Sequence, residues 1–127
     1  MNKTILITGL LFGLLAVVLG AFGAHSLKKV LTVEALNSFE TGVKYQMYHA
    51  LFLILLGGIV TVPEHTKKVV FYLIVLGIVL FSFSIYFLAT NKLTAFDFRK
   101  IGFITPIGGL LLISGWAYLL FSLLFKK

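Results

Sequence analysis

The sequence predicts an all-α integral membrane protein: a bundle of four transmembrane helices, with an amphipathic interfacial helix between the first and second. Three observations predict it. Of 127 residues, 60% are hydrophobic and 12% charged, whereas a soluble domain carries about 25% charged residues. A chain this small cannot hide so much apolar surface from water, and its mean hydropathy is +1.08, so lipid is its solvent. Four apolar stretches, 5–24, 43–62, 69–89 and 101–125, each have about the 20 residues needed to cross ~30 Å of hydrocarbon. The lysines gather where these runs end. The net charge of +7 therefore reads as anchoring at anionic headgroups, not as binding to nucleic acid.

Each stretch is a helix because lipid offers no partner to exposed backbone groups. The first has Lys3 before it and small residues near Ala21 and Gly23, which resemble a cleavable signal; it is read as a retained helix. After "GAFGAHSLKK" (20–29) comes a longer connection. From Thr32 to Met47 the apolar residues Leu36, Phe39, Val43 and Met47 recur at helical spacing, with Glu34, Asn37, Glu40, Thr41 and Lys44 opposite. That is the amphipathic helix, lying on the membrane before the second span. Asn37 with Glu40 has the spacing of a capping box, so a break is expected there. The turn "PEHTKK" (63–68) makes spans two and three antiparallel neighbours, with Pro63 ending the second. In "TNKLTAFDFRK" (90–100), Asn91 and Asp97 are turn formers, and Phe96 and Phe98 interface anchors. Pro106 suits a first helical turn, with Thr105 as its cap. Trp116 and Tyr118 are expected in an interfacial belt.

Four spans put both termini on one side. Five basic residues then lie on that side and six on the other, so charge alone leaves the orientation open. Lys3 leans it toward cytoplasmic termini. The expected location is a cytoplasmic (inner) membrane, crossed several times.

Lipid supplies no hydrophobic drive between helices, so association needs close approach over small residues. Candidate packing positions are Gly9, Gly13, Ala16, Gly20 and Ala24 on the first span. Gly57 and Gly58 serve the second, Gly77 the third, and Gly108 and Gly109 the fourth. They are first assigned to packing within the bundle, then to a homo-oligomer or a larger membrane complex.

Polar groups at membrane depth are costly and face protein or water. One candidate cluster stands out: His25, Glu40, Lys44, Tyr45, Gln46 and His49. Glu40 and Lys44 are spaced to pair, and Tyr45 and His49 to share a face. Ser82, Ser84 and Tyr86 form a further polar stretch. His25 and His49 are both read toward one side of the membrane, where a pair of imidazoles suits haem iron. The simpler reading is that each bonds a backbone carbonyl. There is no cysteine, and no HExxH, Walker or GxSxG motif. No metal, cofactor or catalytic residue is assigned, and the reading leans away from an enzyme.

"GAFGAHSL", "TGVKYQMYHAL", "LFSFSIYFLA" and "ITPIGGLLLISGW" together resemble a bacterial family of small membrane proteins, domain of unknown function 423, related to the mitochondrial transmembrane protein 256 group. Ser26 and Phe83 stand where the resemblance leads one to expect glycine. The resemblance implies a four-helix membrane protein and no established activity. Three functions follow in order: a structural or accessory component acting by helix packing; a small oligomeric channel or transporter; a haem, quinone or lipid binding protein.

Overall fold

The structure, a computed structural model, describes residues 2–91 and 102–125. Regular structure among them is helical throughout. Helix α1 is Lys3–His25. A 3-10 turn, Leu27–Lys29, leads to α2, Val33–Gly58. Helix α3 runs Glu64–Ala89, with a π-helical turn at Val79–Phe83. Helix α4 is Ile104–Phe125. The expected turn and anchor residues Asp97, Phe96 and Phe98, the start of the fourth span at Ile101, and the Ala24 side chain lie outside the described residues.

The helix starts follow from capping chemistry. The Asn2 side-chain oxygen accepts the Ile5 N–H at 3.1 Å, and Thr32 Oγ1 accepts that of Ala35 at 3.1 Å. Each satisfies an N–H that the first turn leaves unpaired. Thr32, not Asn37, therefore begins α2. The Asn37 carbonyl accepts the Thr41 hydroxyl at 3.0 Å, and the helix runs through without a break. The separate interfacial helix expected from the amphipathic pattern is the first part of a single 26-residue helix. Pro63 is the residue that precedes α3 rather than the stop of α2. Its missing N–H costs nothing there. Thr105 sits inside α4 instead of capping it, and Pro106 occupies the first turn.

Consecutive helices run antiparallel. The Asn2 N–H donates to the Gly57 carbonyl at 2.8 Å, and its side-chain amide to Glu64 at 2.9 Å. One residue thus ties the start of α1 to the end of α2 and the start of α3. Helix α1 packs mainly on α2, α4 mainly on α3, and α2 meets α3 between them. The buried apolar centre holds Ile5, Phe52, Leu53, Leu56, Val70, Ile74, Ile78 and Leu112.

Glycines set the closest approaches. A Cβ on Gly9 would lie 2.9 Å from the Ala50 carbonyl oxygen, and one on Gly57 3.0 Å from the Leu6 backbone nitrogen. Gly77 and Gly115 receive Leu112 and Ile74 reciprocally, and a Cβ on Gly108 would run into the backbone nitrogen of Phe81. Gly13, Gly20 and Gly109 leave ordinary contact distances, and Gly58 faces open space. Ala16 is buried. Phe83 partly fills the seam between α1 and α3, edge-on to Phe12 with ring centroids 6.2 Å apart.

Three helical stretches, Lys3–Lys29, Glu64–Ala89 and Ile104–Phe125, are long and apolar enough to cross a membrane. Helix α2 is equally long, but Lys44, Gln46 and His49 lower its hydropathy.

Candidate functional site

The polar centre of the bundle is built around α2. Gln46, midway along that helix, is fully buried. Its amide nitrogen donates to the Phe12 carbonyl of α1 at 2.8 Å. Its amide oxygen accepts the Tyr86 hydroxyl of α3 at 2.6 Å. The orientation is dictated by the partners, because a carbonyl only accepts and Phe12 offers nothing else. One side chain thereby joins three helices. Ser82, also fully buried, donates to the Gly42 carbonyl at 2.8 Å. These helical carbonyls serve the side chains with the second lone pair of each oxygen. Gly42 makes this possible: a Cβ there would stand 2.7 Å from the Tyr86 ring.

His49 links α2 to α4. The Trp116 indole N–H, which can only donate, points at His49 Nε2 at 2.9 Å. Nε2 is therefore the unprotonated nitrogen. Nδ1 carries the hydrogen and donates to the Tyr45 carbonyl at 2.7 Å. Both ring nitrogens are engaged. Trp116 also packs on Phe52, with centroids 4.4 Å apart, while about half of its surface stays exposed. Toward the connections, Ser84 Oγ donates to the carbonyls of the π turn and lies 2.6 Å from Thr105 Oγ1 of α4.

Of the six residues in the cluster, the structure brings Gln46 and His49 into the interior. Tyr45 is beside them, its ring stacked with His49 at 6.4 Å, but its side chain is exposed. His25, Glu40 and Lys44 are exposed, and among the described residues Glu40 and Lys44 form no ion pair with each other. His25 ends α1, past the level where Gly23 meets Phe39, whereas His49 sits near the level where Gly13 meets Ala50. Twelve residues of α1 separate His25 from the level of Gly13, about 18 Å. The two imidazoles are not assembled into a pair for haem.

Gly42 and the reach of Trp116 to His49 escape a sequence reading. The available signals were spacings: Gly42 and Gln46 four apart on α2, Ser82 and Tyr86 four apart on α3. Beside His49 lies a cavity of about 330 Å³, lined by Tyr45, His49, Phe81, Gly109, Leu112, Ile113 and Trp116. A wider groove of about 720 Å³, between Thr32, Ser38, Leu88 and Pro106, lies at the connection end, away from the buried polar groups.

Long apolar helices closed around an internally bonded polar centre define a small helical membrane protein that crosses the bilayer several times. The chain belongs to the family "Protein of unknown function (DUF423)", whose model matches residues 19–109. It is 42% identical over 120 residues to a UPF0382 membrane protein of Staphylococcus haemolyticus, covering 94% of each chain. It is 35% identical over 123 residues to the UPF0382 inner membrane protein YgdD of Escherichia coli, covering 94% of this chain and 88% of that one. No solved structure matches it. It is a multi-pass protein of the bacterial inner membrane.

Proposed function

We propose that the chain crosses the membrane four times and serves as a structural or accessory component, working by helix packing on itself or within a larger complex. The observation that carries this reading is Gln46. A side chain at the middle of α2 joins α1, α2 and α3 through both ends of its amide. Lys44 is the one charged residue of α2 close to this depth, and its aliphatic stem lets the ammonium reach the headgroups. With Gln46, His49 and Ser82 bonded inward, α2 presents lipid with an acceptable surface despite its modest hydropathy. Both termini then share a side.

The same bonds favour a packing role over a channel. Ser82, Tyr86 and His49, which a pore would turn toward water, are directed at Gly42, Gln46, Tyr45 and Trp116. The broad apolar outer faces of α1 (Leu10, Leu14, Val17) and α4 (Leu110, Ile113, Leu124) are exposed, available to lipid, to a second copy or to another membrane protein. Reconstitution tests the reading. In liposomes the protein is expected to leave proton and potassium fluxes at the level of bare lipid, and in nanodiscs to give a native mass above the 14.1 kDa monomer. A flux that falls in Tyr86→Phe or Gln46→Leu would replace this reading with a channel.

A further inference from the structure

The cavity beside His49 differs from the rest of the bundle surface. Aromatic side chains wall it from three helices: Tyr45 of α2, Phe81 of α3 and Trp116 of α4. Tyr45 and Phe81 have centroids 5.2 Å apart, and Trp116 stands edge-on to His49 at 5.9 Å. Gly109 keeps the α4 wall open. Its rim residues Tyr45, Ile113 and Trp116 are exposed, so the mouth faces sideways, part-way along the helices. A second lateral groove, on α1, has Leu11, Leu14, Leu15 and Val18 against two phenylalanines and no polar group. That groove suits acyl chains. The His49 cavity offers ring faces and, in Tyr45, a hydroxyl, the Trp116 N–H being held by His49.

We propose that this cavity binds the ring of an isoprenoid quinone that enters from the bilayer. Its volume, about 330 Å³, is at the small end of ligand pockets, enough for a ring and not for a whole lipid. An electron-poor quinone ring stacks on electron-rich indole and phenol faces, which prefer offset or edge contacts. A quinone carbonyl accepts hydrogen bonds, and the Tyr45 O–H is a donor, whereas the Trp116 N–H stays on His49 and the indole contributes its ring face. The isoprenoid tail stays in lipid. The proposal concerns binding alone, and it rests on the four-span reading, which puts the mouth of the cavity in the hydrocarbon.

Trp116 is the only tryptophan in the chain, so its fluorescence reports on this cavity. The test uses the full chain in quinone-free nanodiscs, titrated with a benzoquinone carrying one isoprenyl unit. The expected result is saturable quenching. Gly109→Leu and Ile113→Phe, which fill the cavity from α4, should each raise the half-saturating concentration at least about tenfold. Gly58→Leu, at a site facing open space, should leave it unchanged. Two variants guard against one that fails to fold, with helicity by circular dichroism as the check. Quenching that rises linearly, as for quinone dissolved in lipid, overturns the proposal. So does saturation unaffected by both cavity variants, or quenching by lipids with brominated acyl chains that quinone cannot relieve. Failure of the four-span reading is seen separately, as labelling of Ser26→Cys and His65→Cys, at the two ends of α2, from the same side of the membrane.

Discussion

Gln46 is the side chain on which the account is most exposed to test. Interhelical hydrogen bonds in membranes average about 0.6 kcal/mol each, so Gln46→Leu, which removes two, should lower stability by about 1 kcal/mol. Tyr86→Phe removes one and should cost about half as much. Because the Tyr86–Gln46 bond is common to both variants, the double variant should cost less than the sum. Unfolding of the four proteins in micelles measures all three quantities; strictly additive losses would mean the bond is not formed. Tyr45, Gln46 and His49 are legible in the sequence as polar residues of one apolar helix. Their partners are not. Tyr86 and Trp116 lie 40 and 67 residues away from Gln46 and His49, and no local spacing shows which helices face each other. Trp116 near the end of an apolar run reads as an interfacial anchor until its indole nitrogen is seen against His49.

At the scale of elements, α3 and α4 approach most closely at Gly108. A methyl group there meets the backbone of α3 at Phe81, which cannot turn aside as a side chain would. Gly108→Ala should cost about 1–3 kcal/mol, the range of overpacked sites. Gly58→Ala should be neutral or stabilising by up to about 1 kcal/mol, since alanine favours helix over glycine and nothing stands in its way. Thermal unfolding of the two variants side by side checks the contrast; equal losses would contradict the α3–α4 contact. The π turn at Val79–Phe83 acts in the same region. One extra residue rotates everything after it by about 100°. Deleting Leu80 should therefore turn Ser84 and Tyr86 away together and destabilise more than Tyr86→Phe alone. Helix positions were readable because apolar length and lysine flanks mark them. The π turn was not, because its residues are ordinary helix formers in lipid. The unbroken α2 differs from the expected separate helix for a physical reason too: the exposed face of Glu34, Asn37, Glu40, Thr41 and Lys44 does resemble a solvated one, yet Thr32 caps a single helix that continues without a break into the apolar residues beyond it.

At the scale of the molecule, the central claim is that α2 crosses the membrane, making four spans with both termini on one side. Three helical stretches qualify by length and apolar content alone, while α2 qualifies only if its buried polar groups are bonded within the bundle. The chain contains no cysteine, so single reporters can be introduced without removing any. Ser26, between α1 and the 3-10 turn, and His65, in the first turn of α3, are both exposed and stand at opposite ends of α2. The decisive measurement is labelling of Ser26→Cys and His65→Cys with a membrane-impermeant maleimide in right-side-out and inverted vesicles. Labelling of the two positions from opposite sides is the predicted result. Labelling of both from the same side would mean that α2 does not cross, and the four-span account would fail.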